Sequence, residues 1–411
     1  MTHATLFLVA LLGHLALWVA LFNRLHSLAI PDRVQDHVEK WVLGGLLGGP
    51  ALVVWAVHRR PELLFHPAEL LAGTPAVLGY AALCLGMGTW VTLRWLQRKL
   101  RGPATELLSE RRVVSRLDRE LGHLPCGDWP TRVWARVPGN QLLQVEVVTK
   151  SLRIARLPAA LDGLRIAHLS DLHFSGRITA DFFDWIVDRT NQLQPDLVAI
   201  TGDLIDHRRC LPWLPQILGR LQSPGGTFCI LGNHELRLPD PSQLRDTLAQ
   251  AGLDYLGGRC HTLDIAGHPI LLAGNELPWW GPAPDIRHGL QARTAPPALR
   301  LLLAHTPDRL PWARRCEFDL MLAGHTHGGQ ICFPLVGPVV TQSRYGVSYC
   351  SGVYSQPPTV LHVSRGLSGC QPLRWNCRPE LALLILRNRS RAVGLGDGNG
   401  VRRWRFEMVR R

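Results

Sequence analysis

The stretch LRIAHLSDLH, residues 164–173, decides how the rest of this chain is read. It opens as a short apolar run and ends in an acid and an imidazole two positions apart. Four later stretches repeat the arrangement: DLVAITGDLID (196–206), TFCILGNHE (227–235), LRLLLAHTPD (299–308) and FDLMLAGHTHGGQ (318–330). Short apolar runs bounded by Gly, Pro or Asp are the mark of strands buried on both faces. Between the first two lies DFFDWIVDRTNQL, in which Phe182, Phe183, Ile186, Val187 and Thr190 form one helical face. WLPQILGRL precedes the third in the same way, and LLQVEVVT and PILLAG add two more strands. Alternation of strand and helix predicts an α/β domain with a largely parallel or mixed sheet.

The polar residues stand where the strands stop: Asp171 and His173, Asp203 and Asp206, Asn233 and His234, His305, then His325 and His327. Sites in open α/β sheets form outside the carboxyl ends of strands, so five such ends bring these side chains to one rim. In extended backbone, residues i and i+2 point the same way. Asp171 and His173 can therefore reach one ion, and His325 and His327 can face the same cluster. Imidazole, carboxylate and amide donors without thiolates suit manganese, iron or zinc in a reactive rather than a structural site. One carboxylate shared by two ions about 3.5–4 Å apart would let a shared hydroxide attack phosphorus in line. A lone DxH or GNHE is weak evidence, and His168 or His261 alone reads as an ordinary core or surface histidine. Five motifs in order, each after an apolar strand, are a different matter. Gly202 and Gly232 allow close backbone approach at tight turns, and no Walker-type or GxGxxG phosphate loop is present.

The ordered set DLH, GDLID, GNHE, AHTPD and GHTHGGQ resembles the calcineurin-like metallophosphoesterase superfamily. GHTHGGQ, the lead-in LPAALDGLRIAHLSDLH and the late VSRGL…RPELALLIL are similar to its membrane-associated bacterial branch, over roughly residues 150–387. That resemblance implies a two-sheet αββα sandwich, an architecture periodicity does not distinguish from a doubly wound sheet. It implies that Asp171, His173, Asp203 and His327 hold one metal ion. Asp203 would bridge to a second, completed by Asn233, His305 and His325. His234 would act as the catalyst, its ring oriented by Glu235 or another neighbour, with Asp206 in support. The common motif has Asp after that His, where this chain has Glu235.

Outward from this domain the N-terminal third changes character. Residues 1–23, 41–58 and 70–93 contain no Asp, Glu, Lys or Arg. Uncharged runs of that length span a hydrocarbon core of about 30 Å as helices, predicting transmembrane helices at about 5–22, 41–58 and 74–93. The first run lacks the basic flank and cleavage site of a signal peptide. Gly44, Gly45, Gly48 and Gly49 make a small-residue packing face of the kind membrane helices use. Arg24, Arg33, Lys40, Arg94, Arg98, Lys99 and Arg101 flank one side, against Arg59 and Arg60 on the other. This bias puts the N-terminus outside and the catalytic domain in the cytoplasm, on a multi-pass inner-membrane protein. Residues 94–139 read as a basic juxtamembrane linker with helical stretches, 140–388 as the metallophosphoesterase domain, and 389–411 as a basic flexible tail.

The net charge of +13 suits an anionic substrate or membrane surface. No motif of a nucleic-acid module appears, so no nucleic-acid partner is expected. Ten cysteines show no CxxC pairing, and only Cys370 and Cys377 resemble disulfide partners. Trp279 and Trp280 read as packing residues, or as an apolar lip for an acyl chain. Three functions are open: a phosphodiesterase or phosphomonoesterase with a phosphate-ester substrate, free or lipid-linked; a UDP-2,3-diacylglucosamine pyrophosphatase of lipid A synthesis; and an inactive membrane scaffold or sensor.

Overall fold

The computed structural model describes residues 3–30, 32–60, 75–287, 296–369, 371–388 and 406–408. It divides into two compact units: residues 1–102 with 342–346, and residues 103–341 with 347–411.

Among the described residues the first unit holds three helices, α1 (His3–Leu25), α2 (Asp32–Arg59) and α3 (Pro75–Leu100). Each is long and apolar enough to cross a membrane. Helix α2 begins well before the uncharged run because the polar segment Asp32–Lys40 continues the helix. Of the four glycines expected to form a packing face, Gly45 and Gly49 lie against Trp18 and His14 of α1, where any Cβ would collide. Gly44 and Gly48 have open space beside them.

The second unit is built on two seven-stranded sheets. The first runs β1 (Leu107–Arg116), β2 (Gln144–Arg153), β15 (Glu380–Arg387), β3 (Arg165–Leu169), β4 (Leu197–Thr201), β5 (Thr227–Ile230), β6 (Leu253–Tyr255). The second runs β13 (Gly352–Gln356), β14 (Thr359–Val363), β10 (Leu320–Ala323), β9 (Leu299–Ala304), β8 (His268–Asn275), β7 (Cys260–Ile265), β16 (Phe406–Met408). Strands β3 to β6 are parallel, as are β8, β9, β10 and β14, so their carboxyl ends lie along one edge of each sheet.

Alternation along the strands explains why they read as continuous apolar runs. Leu197 and Ala199 of β4, with Leu301, Leu303, Leu320 and Leu322, fill the layer between the sheets. Val198 and Ile200 face outward onto the helix Ala180–Gln192, whose Phe182, Phe183, Ile186 and Val187 cover them. Leu302 and Met321 face the opposite way, onto the helix Leu310–Arg315. Helix, sheet, sheet and helix stack in that order, which is the αββα sandwich implied by the motifs.

Two domain boundaries need correction. Residues 107–116 are not part of a linker: they form the edge strand β1, paired antiparallel with β2 from Leu107 through Arg116. The charge-rich LLSERRVVSR matches an edge strand exposed on both faces, and Glu110 falls opposite Lys150. Pairing to a neighbour overrides the helical look of the sequence. Pro130 sits in the first turn of the helix Trp129–Ala135, capped by the Asp128 carboxylate accepting from the Thr131 N–H. Of the expected flexible tail, Phe406–Met408 is a strand paired with β7, and the remainder lies outside the described residues. Cys377 is a free thiol, and its expected partner Cys370 lies outside the described residues.

Candidate metal centre

Every strand end named in the sequence meets at one rim. Asp171 and His173 follow β3, Asp203 and Asp206 follow β4, and Asn233 and His234 follow β5; His305 follows β9, while His325 and His327 follow β10. Asp171, His173, Asp203, His305 and His325 are buried. The backbone there is unusual. Asp171 (φ 54°), His173 (46°), Asp203 (51°), His325 (69°) and His327 (48°) all adopt left-handed conformations. Non-glycine residues held that way cost about 1–3 kcal/mol each and cluster where function demands it.

The side chains form overlapping groups that could hold metal ions: Asp171, His173, Asp203 and His327, and separately Asp203, His305 and His325. Asp203 belongs to both. Its Oδ2 lies 3.5 Å from His173 Nε2 and 3.3 Å from His305 Nε2. Asn233 enters the second group through Oδ1, 3.2 Å from His305 Nε2.

The donor set can be tested on its hydrogen bonds. His173 Nδ1 donates to Asp206 Oδ1 at 2.9 Å, since an ionised carboxylate only accepts. His327 Nδ1 donates to the Ser368 carbonyl at 3.2 Å. Both rings therefore turn Nε2 lone pairs toward each other, and those nitrogens are 3.2 Å apart. His305 does the same: Nδ1 donates to the Thr201 carbonyl at 2.7 Å, leaving Nε2 to face two oxygens. Lone pairs converging on one point repel unless a cation lies between them, so these residues fit a divalent ion with nitrogen and oxygen ligands.

Electrostatics follow the same geometry. Burial would raise the Asp203 carboxyl, but His305 and then His234 beside it hold it well below the usual range. Burial would lower His305, yet the Asp203 charge carries it up to about 9. Burial, reinforced by His173 and Arg374, presses His327 well below its ordinary value.

The roles expected of Asp206 and Glu235 change. The Glu235 carboxylate is buried and accepts the backbone N–H groups of Leu204 (2.6 Å), Ile205 (3.1 Å) and Gly232 (2.6 Å). It pins the loop after β4 to the loop after β5, and its hydrogen bonds go to backbone rather than to the His234 ring. Asp206 takes the orienting contact instead: Oδ1 accepts from His234 Nδ1 at 2.7 Å as well as from His173. One carboxylate oxygen thus aligns a metal-ligand candidate and the catalyst candidate. Burial would raise its pKa, but His173 and His234 drive it far below the carboxylate range.

Trp279 and Trp280, read from the sequence as packing residues, do pack at the site, and a third contributor, Glu276, escaped the sequence reading. Trp279, half-buried, lays its ring 4.7 Å from that of His325 and 5.5 Å from that of His305. Trp280 donates Nε1–H to the Gly232 carbonyl at 2.7 Å, just before Asn233. Glu276 accepts from the Leu231 N–H at 2.5 Å and from the Tyr255 hydroxyl at 2.8 Å. The WW pair after a strand was the available signal, and it brings packing to the site. Gly232 must be glycine, because a Cβ there would lie 2.2 Å from Asp203 Oδ1.

Comparison with known proteins agrees with this geometry. The profile of the family described as calcineurin-like phosphoesterase matches residues 164–329. An uncharacterized metallophosphoesterase of Bacillus subtilis, YkuE, is 30% identical over 59% of this chain and 86% of its own length. The phosphodiesterase YaeI of Escherichia coli is 30% identical over 54% of this chain and 82% of its own. A bovine transmembrane protein with a metallophosphoesterase domain is 31% identical, over 58% of this chain and 56% of that one.

Proposed function

Because this chain belongs to the calcineurin-like metallophosphoesterase family and so to the hydrolases of phosphoric esters, we propose that it is a membrane-anchored, dinuclear-metal phosphodiesterase. The observation that carries the reading is the single carboxylate of Asp203, shared by both metal-binding groups. In this reading Asp171, His173, Asp203 and His327 hold one ion, and Asp203, Asn233, His305 and His325 the other. When bound, manganese, iron or zinc ions would supply Lewis-acid polarisation of the phosphoryl group and lower the pKa of attacking water.

The chain's own residues do the rest. His234 Nδ1 is tied to Asp206, and its Nε2 edge faces the cluster, 3.9 Å from Asp203 Oδ2. His234 donates its Nε2 proton to the leaving oxygen, and Asp206 stabilises the ring's charge while holding its orientation. Glu235 and Trp280 fix the loops that carry Asp203 and Asn233, so the ligands are preorganised before substrate arrives. Helices α1–α3 anchor the enzyme in the inner membrane, with the catalytic unit on the cytoplasmic side where seven flanking basic residues outweigh two.

The test is a metal-reconstituted screen of the full chain in detergent against bis-p-nitrophenyl phosphate, nucleotides and nucleotide–lipid pyrophosphates. Turnover of the diester is expected. A chain that carries two ions yet turns over none of the panel would sink the proposal.

A further inference from the structure

Beyond the metal site, the catalytic unit exposes apolar side chains where a soluble surface would carry polar ones. Directly after the GHTHGGQ motif, strands β11 (Cys332–Phe333) and β12 (Gly337–Pro338) form a two-stranded hairpin separate from both main sheets. Its tip is Pro334-Leu335-Val336, with Leu335 81% exposed and Phe333 and Val336 also exposed. Leu335 has φ +65°, a conformation that favours Gly or Asn at a turn. An apolar residue stands where both local conformation and solvent argue against it.

The hairpin is not isolated. Its Cys332 N–H bonds the Trp375 carbonyl, and the Phe333 and Trp375 rings lie 6.4 Å apart. Trp375 is itself exposed and reaches the Gly139 turn. Asn140 joins that turn to the next element, donating to the Trp134 and Pro372 carbonyls. There the helix Trp129–Ala135 presents exposed Trp129 (75%) and Trp134, with exposed Arg132 and Arg136 beside them. Exposed apolar side chains that include tryptophans, with arginines beside them, are the composition of a bilayer-interface contact.

We propose that this surface, the 332–338 hairpin with Trp375 and the helix Trp129–Ala135, dips into an anionic phospholipid bilayer beside the active-site mouth. Arginines complement the phosphates of an anionic lipid surface. The inference rests on reading α1–α3 as membrane spans. These are joined to the catalytic unit through residues 101–106, and such tethering gives even a weak contact a high effective concentration of lipid. The contact would bring the metal-site rim to phosphoester headgroups and so selects a lipid-borne ester as the substrate class.

The full chain, reconstituted into nanodiscs of mixed phosphatidylglycerol and phosphatidylcholine, is photolabelled with a phospholipid carrying a diazirine in its acyl chain. Labelled peptides are then mapped by mass spectrometry. Labels at residues 333–336 and at Trp375, in addition to α1–α3, are expected, and weaker hairpin labelling in pure phosphatidylcholine. The double variant Leu335→Glu, Val336→Glu should lose the hairpin labels while turnover of soluble bis-p-nitrophenyl phosphate stays unchanged, which also shows that it folds. Labels confined to α1–α3, equal labelling of the double variant, or hairpin-to-hairpin protein cross-links in place of lipid labels would overturn the proposal. Equal labelling in both lipid mixtures would remove the anionic part of it. Absence of label from α1–α3 would instead refute the membrane spans, and none of the labelling readouts depends on the phosphoesterase activity.

Discussion

Replacing Asp206 by Asn removes one negative charge and barely alters the side chain's shape. In the wild type one oxygen, Oδ1, accepts from His173 Nδ1 at 2.9 Å and from His234 Nδ1 at 2.7 Å. Hydrogen bonds to a charged group contribute about 1.5–3 kcal/mol and neutral ones about 0.5–1.5. Exchanging both for neutral bonds therefore loses about 1 kcal/mol each. Together that is about 2 kcal/mol, or roughly a 30-fold fall in kcat/KM at about 1.4 kcal/mol per tenfold. The range agrees with the roughly 10- to 100-fold typical of removing a carboxylate behind a metal-bound histidine. Because His173 and His234 hold Asp206 far below the carboxylate range, it is ionised throughout, and the defect should be constant from about pH 5 to 9. Initial rates on bis-p-nitrophenyl phosphate measure it. In a His234→Ala background the same change should cost only the His173 share, roughly fivefold. An Asp206→Asn enzyme within twofold of wild type, or a full 30-fold loss on top of His234→Ala, would refute the shared-carboxylate reasoning.

His234→Ala should lower kcat by roughly 10²- to 10⁴-fold with both ions retained; metal analysis showing an emptied site would mean that His234 is a ligand. Glu235→Ala leaves three buried N–H groups without their acceptor and should destabilise the metal-free catalytic unit by about 3 kcal/mol or more, read as a lower unfolding midpoint; an unchanged midpoint would argue against the brace. Burial pushes Glu276 up from 4.5 to about 7, so the folded state binds more protons than the unfolded one between those values, and this carboxyl's contribution to stability falls as pH rises through that window. Glu276→Gln keeps the shape without the titration, so its stability relative to wild type should improve by about 3 kcal/mol at most between pH 4.5 and 8. Relative stability of the variant that stays flat or falls over that range in thermal melts would contradict the assignment.

Much of this architecture was legible because β3, β4, β5, β9 and β10 are mostly apolar on both faces and are followed at their carboxyl ends by Asp, Asn and His. Ala167, Ile200 or Leu302 must be apolar in either direction, which leaves the chemistry to announce itself at Asp171, Asp203 or His305. Edge strand β1 was hidden because exposure on both faces erases alternation, and its identity comes from β2 rather than from its own residues. Roles of the carboxylates were hidden for a different reason. Glu235 lies next to His234 in the chain, whereas the partner of that ring is Asp206, 28 positions away and brought in by the turn after β4. Nor does the sequence mark the left-handed backbone at Asp171, His173 and Asp203, since neither Asp nor His advertises it. The hairpin at 332–338 was passed over because Ile331–Val336 carry none of the Asp, Asn or His residues that mark the other strand ends.

The central claim is that one carboxylate, Asp203, joins two metal ions in one active site. Its most direct test is metal content by plasma mass spectrometry on the purified full chain, wild type against Asp203→Asn, after reconstitution with manganese, iron or zinc. The account predicts two ions per wild-type chain and at most one in the variant. Two ions retained by Asp203→Asn would contradict it.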